Sequence, residues 1–383
     1  MHDRRNRRMS EREPMIPIFS AVAANRGIDL AAAVTRVLDS HWYVLGTEVA
    51  QFESEFAGYL GVGHCISVAN GTDALELGLK ALGVGPGDAV VCVANAGFYG
   101  STAARSIGAI PMYVDVDPVT LTLSPPALAE ALAGRPAAVI VTHLYGQLAD
   151  LDPIVAMCRS AKVPLIEDCA QAHGASRGGR MAGSFADIGC FSFYPTKNLG
   201  AIGDGGAIVT CNDEVASRLR TLRQYGWSSK YEVALQGGRN SRLDEIQAAV
   251  LRQKLPELNR QNTERRNIAL RYNEAFSQLP LRCPSSTAED FAAHLYVVRT
   301  SRREALRSHL REHGVATDVH YPIPDTRQPA YAPSGALQPL PVTEAASGEV
   351  LSLPCFPGMT DAEVAHVIAG VWSFFGIHGV AKC

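Results

Sequence analysis

Between His64 and Thr210 the chain alternates short apolar runs with stretches of helical spacing, without an internal repeat. The runs are His64–Val68, Ala89–Ala94, Pro111–Asp115, Ala138–His143, Pro164–Glu167, Gly189–Phe193 and Ala207–Thr210. Helical spacing falls at Ser101–Ile107, Pro126–Leu132, Ile154–Ala161 and Glu214–Tyr225, and Asn70–Ala74 opens a further helix running through Leu82. Most of these strands are continuously apolar rather than alternating, as burial on both faces requires. Strands that alternate with helices build a mostly parallel central sheet with helices on both faces. The predicted fold class is therefore α/β.

Two helices are expected before this region, at Asp29–Asp39 and Val49–Tyr59. From Leu243 the pattern changes. Asp244–Ser277 is long, charged and helical, with an interruption near Pro256. His294–Thr300 reads as a strand, and Arg302–His313 and Thr360–Phe375 read as helices. A loop rich in proline spans Pro322–Pro341. We expect a large domain over 15–255 and a smaller C-terminal α+β domain over 256–383. Residues 1–14, with Arg4, Arg5, Arg7 and Arg8, read as a disordered tail.

The 383 residues are ample for two domains of this kind. A formal net charge of -3 gives no overall attraction to nucleic acid or to an anionic membrane. No apolar run reaches the length of a membrane span, and the basic start lacks the apolar core of a secretory signal. The nine cysteines contain no Cys-x-x-Cys pair, and most sit in strand-like runs. Free core thiols in a reducing cytoplasm account for them better than disulfides or zinc. No metal is expected.

Two residues carry chemistry. Lys197 lies between the apolar run Phe191–Phe193 and the glycine-rich turn Gly200–Gly206. A short loop there can aim an amine into a pocket, where desolvation favours its neutral, nucleophilic form. Asp168 ends the apolar run beginning at Val163, where a carboxylate can face a cationic ring nitrogen. Alone, each has an ordinary explanation, a solvated surface charge or a turn residue. Together they are the two groups that pyridoxal 5'-phosphate requires, lysine for its aldehyde and aspartate for its pyridinium nitrogen. Asn70-Gly71-Thr72-Asp73-Ala74 opens a helix after a strand, so its backbone N–H groups and helix dipole favour an anion. Gly71 permits close approach, Thr72 adds a hydroxyl, and Ser192 is a second hydroxyl for the same phosphate. Phe98 and Tyr99 are candidates to stack on the ring, and Gln171 could donate to its hydroxyl.

With these residues in hand, the chain resembles the DegT/DnrJ/EryC1/StrS family of sugar aminotransferases, of the fold type I pyridoxal-phosphate superfamily. The likeness runs from about Ile16 to Phe374. It rests on Asn-Gly-Thr-Asp-Ala-Leu at 70–75, Glu-Asp-Cys-Ala-Gln at 167–171 and Ser-Phe-Tyr-Pro-Thr-Lys-Asn-Leu-Gly at 192–200. Gly-Asp-Gly-Gly-Ala at 203–207, Asn-Ser-Arg-Leu-Asp-Glu-Ile-Gln-Ala-Ala at 240–249 and His-Tyr-Pro at 320–322 also match. The resemblance implies that Lys197 is linked to the cofactor and that Asp168 pairs with its ring nitrogen. It implies that Gly71, Thr72 and Ser192 hold the phosphate, with Asn240 arriving from the second subunit of a homodimer. It implies that His320 and Tyr321 face the substrate, that L-glutamate is the amino donor, and that a nucleotide-linked keto sugar is the acceptor. A 3-keto-6-deoxyhexose on TDP is the favoured acceptor; a 4-keto sugar nucleotide and a cyclitol ketone are alternatives. A non-catalytic regulatory protein on the same fold is disfavoured by the joint presence of Lys197, Asp168 and the anion cradle. A dehydratase branch with histidine at the lysine position is disfavoured by Lys197 itself. Two departures stand out. Ala96-Gly97 intervenes between Asn95 and the aromatic pair, and Thr326 stands where many relatives have histidine.

Overall fold

The computed structural model describes residues 15–331 and 339–376. The expected tail over 1–14 lies outside the described residues, as does part of the proline-rich loop. Seven strands form the central sheet: β1 His64–Val68, β2 Ala89–Val93, β3 Ile110–Val114, β4 Ala138–Thr142, β5 Leu165–Asp168, β6 Ile188–Ser192 and β7 Gly206–Thr210. Their order is β1-β7-β6-β5-β4-β2-β3. The β3–β2, β2–β4, β4–β5 and β5–β6 pairs are parallel. Only β7 runs against its neighbours β1 and β6.

The apolar runs divide their side chains between the two faces, two residues apart on each. Ile66, Val90, Cys92, Ile140, Ile166, Ile188 and Ile208 point to one core, under the helices Gly71–Ala81, Tyr99–Ser106 and Asp213–Leu222. Cys65, Val91, Val139, Val141, Leu165, Phe191 and Val209 point to the other. There the helix Thr47–Leu60 brings Phe52 and Phe56 against Phe191 and Phe193. The Phe56 ring meets Phe191 edge-on at 5.0 Å and is fully buried, so its truncation to alanine would cost about 3–5 kcal/mol. This aromatic knot supports the end of β6, from which the lysine loop departs.

The charged stretch after Leu243 forms the helices Glu245–Lys254 and Leu258–Phe276, joined by a single 3-10 turn at Leu255–Glu257 that contains Pro256. The second helix buries Leu258, Gln261, Asn262, Arg265, Ile268, Ala269, Tyr272 and Phe276, the stripe expected of an amphipathic helix. A separate antiparallel pair follows, β8 Tyr296–Arg299 with β9 Val350–Leu353. It is flanked by the helices Arg303–Glu312 and Asp361–Phe374. Among the elements not legible beforehand are β9 and the helix Pro341–Glu349. That helix is started from a distance, because the Asp115 carboxylate accepts the N–H groups of Val342 and Thr343, both at 2.9 Å.

Candidate active site

A cavity of about 760 Å³ opens at the C-terminal ends of β4 and β5, where β6 leads into the lysine loop. This is where open α/β sheets place ligands. Lys197, Asp168, Gly71, Thr72, Ser192, Gln171, Tyr99, His320 and Tyr321 all line it. Two predicted residues do not. Phe98 turns away and stacks on Tyr331, with ring centroids 4.9 Å apart. Asn240 is exposed, bridged to Gln224 outside the cavity of its own chain. Phe98, in the left-handed region at φ 71°, has its ring against Tyr331, while Tyr99 is half-exposed and lines the cavity.

Asp168 ends β5 and is 6 % exposed. Its Oδ1 accepts the Ala170 N–H at 3.1 Å and its Oδ2 accepts the Thr142 hydroxyl at 3.2 Å. Burial pushes the carboxyl above its usual range, while the Ala170 N–H, the Lys197 charge and the Thr142 hydroxyl oppose that shift. Lys197 is held by a tight loop in which its own N–H donates to the Tyr194 carbonyl at 2.8 Å. The next residue, Asn198, is anchored to the C-terminal half by bonds to Asn262 and Ala292, both at 2.8 Å. Desolvation drives the Lys197 pKa from 10.5 down to about 8, against the pull of Asp168. At pH 7 about a tenth of such amines are neutral, against about one in three thousand for an ordinary lysine.

The anion cradle is built from β1, the following helix and the end of β6. Asn70 caps the helix Gly71–Ala81 by accepting the Asp73 N–H at 2.8 Å, which leaves the N–H groups of Gly71 and Thr72 at the cavity wall. Gly71 is required by the close approach of β6: a Cβ there would lie 2.6 Å from the Cβ of Ser192. Glycine, helix start and serine hydroxyl thus converge, and a phosphate group fits the donor set.

The outer wall comes from the C-terminal half. Gln171 accepts the Tyr145 N–H at 2.6 Å and donates to the Tyr321 hydroxyl at 3.1 Å, which leaves one amide N–H to offer a ligand. Tyr145 in turn donates its hydroxyl to the His320 carbonyl. The residues missed in the sequence are Thr142, Arg265 and His294. Thr142 pairs with Asp168 in the β4–β5 register, so its place at a strand end was the available signal. Arg265 and His294 reach the cavity only through the packing of the C-terminal half. Burial keeps the His294 pKa well below 6.5, with Lys197 adding to the shift.

A mostly parallel α/β sheet, a desolvated lysine, a buried aspartate and an anion cradle in one cavity fit the general class of pyridoxal-phosphate enzymes. Residues 26–372 match the DegT/DnrJ/EryC1/StrS aminotransferase family, and the chain belongs to it. It is 44% identical over 345 residues to the erythromycin biosynthesis sensory transduction protein EryC1 of Saccharopolyspora erythraea, covering 89% of this chain and 94% of that one. It is 41% identical over 366 residues to the dTDP-3-amino-3,4,6-trideoxy-alpha-D-glucose transaminase of Streptomyces venezuelae, covering 94% of this chain and 96% of the relative. The crystal structure of S. venezuelae DesV in complex with a ketimine intermediate superposes with a TM-score of 0.92 at 40% identity, over 96% of this chain and all of that one. The chain is an aminotransferase of this family, and the alternative of a non-catalytic protein is not favoured.

Proposed function

We propose that this enzyme moves the amino group of L-glutamate to a nucleotide-linked keto sugar, with pyridoxal 5'-phosphate held in the cavity. The observation that carries the reading is the joint presence of the Lys197 amine and the Asp168 carboxylate in one cavity with the cradle at Gly71. When bound, the cofactor supplies an aldehyde and an electron-accepting ring. The remaining parts belong to the chain. Asp168 would keep the ring nitrogen protonated. Gly71, Thr72 and Ser192 bind the phosphate, and Tyr99 is the aromatic available to the ring. Lys197, neutral in an appreciable fraction, takes and returns the proton on the amino-bearing carbon. His320 and Tyr321 face the acceptor.

The exposure of Asn240 supports a role across a dimer interface, where it would reach the phosphate of the neighbour. The 3-10 turn at Leu255–Glu257 supports a division between domains at 255/256. A reducing cytoplasm suits the free thiols of Cys65, Cys92, Cys158, Cys169, Cys190 and Cys355, all buried. Among the described residues no helix is long and apolar enough to cross a membrane.

The transaminase relative from S. venezuelae is named for a dTDP-linked deoxy sugar that carries its amine at carbon three, which supports a 3-keto-6-deoxyhexose on TDP as the acceptor here. A panel of 3-keto and 4-keto sugar nucleotides, with products mapped by NMR, tests this. Amination at carbon three is the expected result; amination only at carbon four would overturn it.

A further inference from the structure

Asp325 lies in the loop after His320-Tyr321 and is 2 % exposed. Its Oδ1 accepts the Phe98 N–H at 3.0 Å, and its Oδ2 accepts the Ser101 hydroxyl at 2.6 Å. Its own N–H donates to the Ala94 carbonyl at 2.8 Å. Three bonds therefore tie this loop to the segment that carries Tyr99. Around them, Phe98 stacks on Tyr331 and the Arg105 guanidinium sits 4.7 Å over the Tyr331 ring. Inside the cavity Tyr99 meets Tyr321 edge-on at 6.2 Å, and Gly97 has no Cβ because one would lie 2.9 Å from the Tyr321 ring. A buried carboxylate is a costly way to fill space, so its worth lies in accepting these two donors.

We propose that Asp325 is a positioning residue for the acceptor, clamping the Tyr321–Gln328 loop onto the first turn of the helix Tyr99–Ser106 and so fixing the Tyr99–Tyr321 wall. The proposal rests on the reading of the acceptor as a sugar nucleotide. Glutamate is far smaller than a nucleoside diphosphate sugar, so the acceptor has the greater need of an ordered wall at Tyr99 and Tyr321, which line the cavity. Displacing the wall therefore weakens the acceptor more than the donor. Burial also raises the Asp325 pKa to about 6, opposed by the Ser101 hydroxyl, the Phe98 N–H and the Arg105 charge. Cys92 and Tyr113 are the other titratable groups facing it. Protonation removes a charged acceptor, so the clamp loosens as pH falls through about 6.

The experiment uses the holoenzyme, Asp325→Ala and Asp325→Asn, with thymidine-diphosphate glucose as an unreactive probe of the acceptor site. Asp325→Ala should weaken probe binding about ten-fold or more and slow glutamate-driven bleaching by a smaller factor, since Tyr99 also serves the cofactor ring. Asp325→Asn keeps an oxygen for the Phe98 N–H and should recover most of the affinity at pH 8. Native binding should weaken below about pH 6, and that limb should be absent in Asp325→Asn. Amide exchange over Phe98–Ser101 should quicken in Asp325→Ala, a readout independent of any substrate. Equal losses in both stages, equal behaviour of the two variants, or unchanged exchange would overturn the proposal. Failure of the native enzyme to bind the probe, with exchange quickened in Asp325→Ala, would overturn the acceptor assignment and, with it, this role for the clamp. Unchanged exchange would count against Asp325 alone.

Discussion

Replacing Asp168 with asparagine separates the chemical role of the carboxylate from its structural one. The two side chains have the same shape. Asparagine can still accept one of the two bonds that Asp168 accepts, from the Ala170 N–H at 3.1 Å or the Thr142 hydroxyl at 3.2 Å, so the end of β5 should hold its place. What disappears is a charge facing the ring nitrogen. A charge-assisted hydrogen bond contributes about 1.5–3 kcal/mol, so turnover should fall at least about ten- to hundred-fold. Stability should move the other way. The Asp168 carboxyl is held above its usual range in the folded chain, so its contribution is present at low pH and lost as pH rises through the folded pKa. At neutral pH the cofactor-free variant should melt no lower than the native protein. The assay pairs steady-state turnover with thermal melts of the cofactor-free forms and titration of the cofactor. Near-native turnover would mean that another group pairs with the ring. Lost turnover with a markedly lower melting temperature would assign Asp168 to the fold.

Gly71→Ala should lower cofactor affinity, because its methyl would sit 2.6 Å from Ser192 Cβ and overpacking of this kind costs about 1–3 kcal/mol; unchanged affinity would place the phosphate elsewhere. Mixing Lys197→Ala chains with Asn240→Ala chains at limiting cofactor should restore activity, since each mixed dimer then holds one native site. No recovery would return Asn240 to its own chain. In the cofactor-free protein an amine-directed reagent, mapped by mass spectrometry, should modify Lys197 with a midpoint near pH 8. A midpoint near 10.5 would show the amine to be solvated.

The legible part of this protein is the part in which sequence neighbours act together. Each sheet strand is one apolar run; Asp168 and Ser192 end strands, and Lys197 sits in the loop that follows Ser192. The Gly71 cradle was visible for the same reason, as a strand, a glycine and a helix start in one short stretch from His64 to Thr72. Hidden features depend on distant partners. The helix Pro341–Glu349 is capped by Asp115, and β9 pairs with β8 across more than forty residues of chain. Phe98 and Tyr99 were indistinguishable because the partners that engage Phe98, Tyr331 at its ring and Asp325 at its N–H, lie far along the chain. Arg265 and His294 reach the site only when the C-terminal half packs against the lysine loop.

The central claim is that Lys197 is the amine that carries the cofactor. Borohydride reduction of the native protein loaded with pyridoxal 5'-phosphate, followed by peptide mapping, tests it directly. The account predicts a visible absorbance that glutamate bleaches, cofactor fixed at Lys197 before bleaching, and none fixed in Lys197→Ala. Cofactor fixed at another lysine, or a protein that stays colourless with cofactor added, would contradict it.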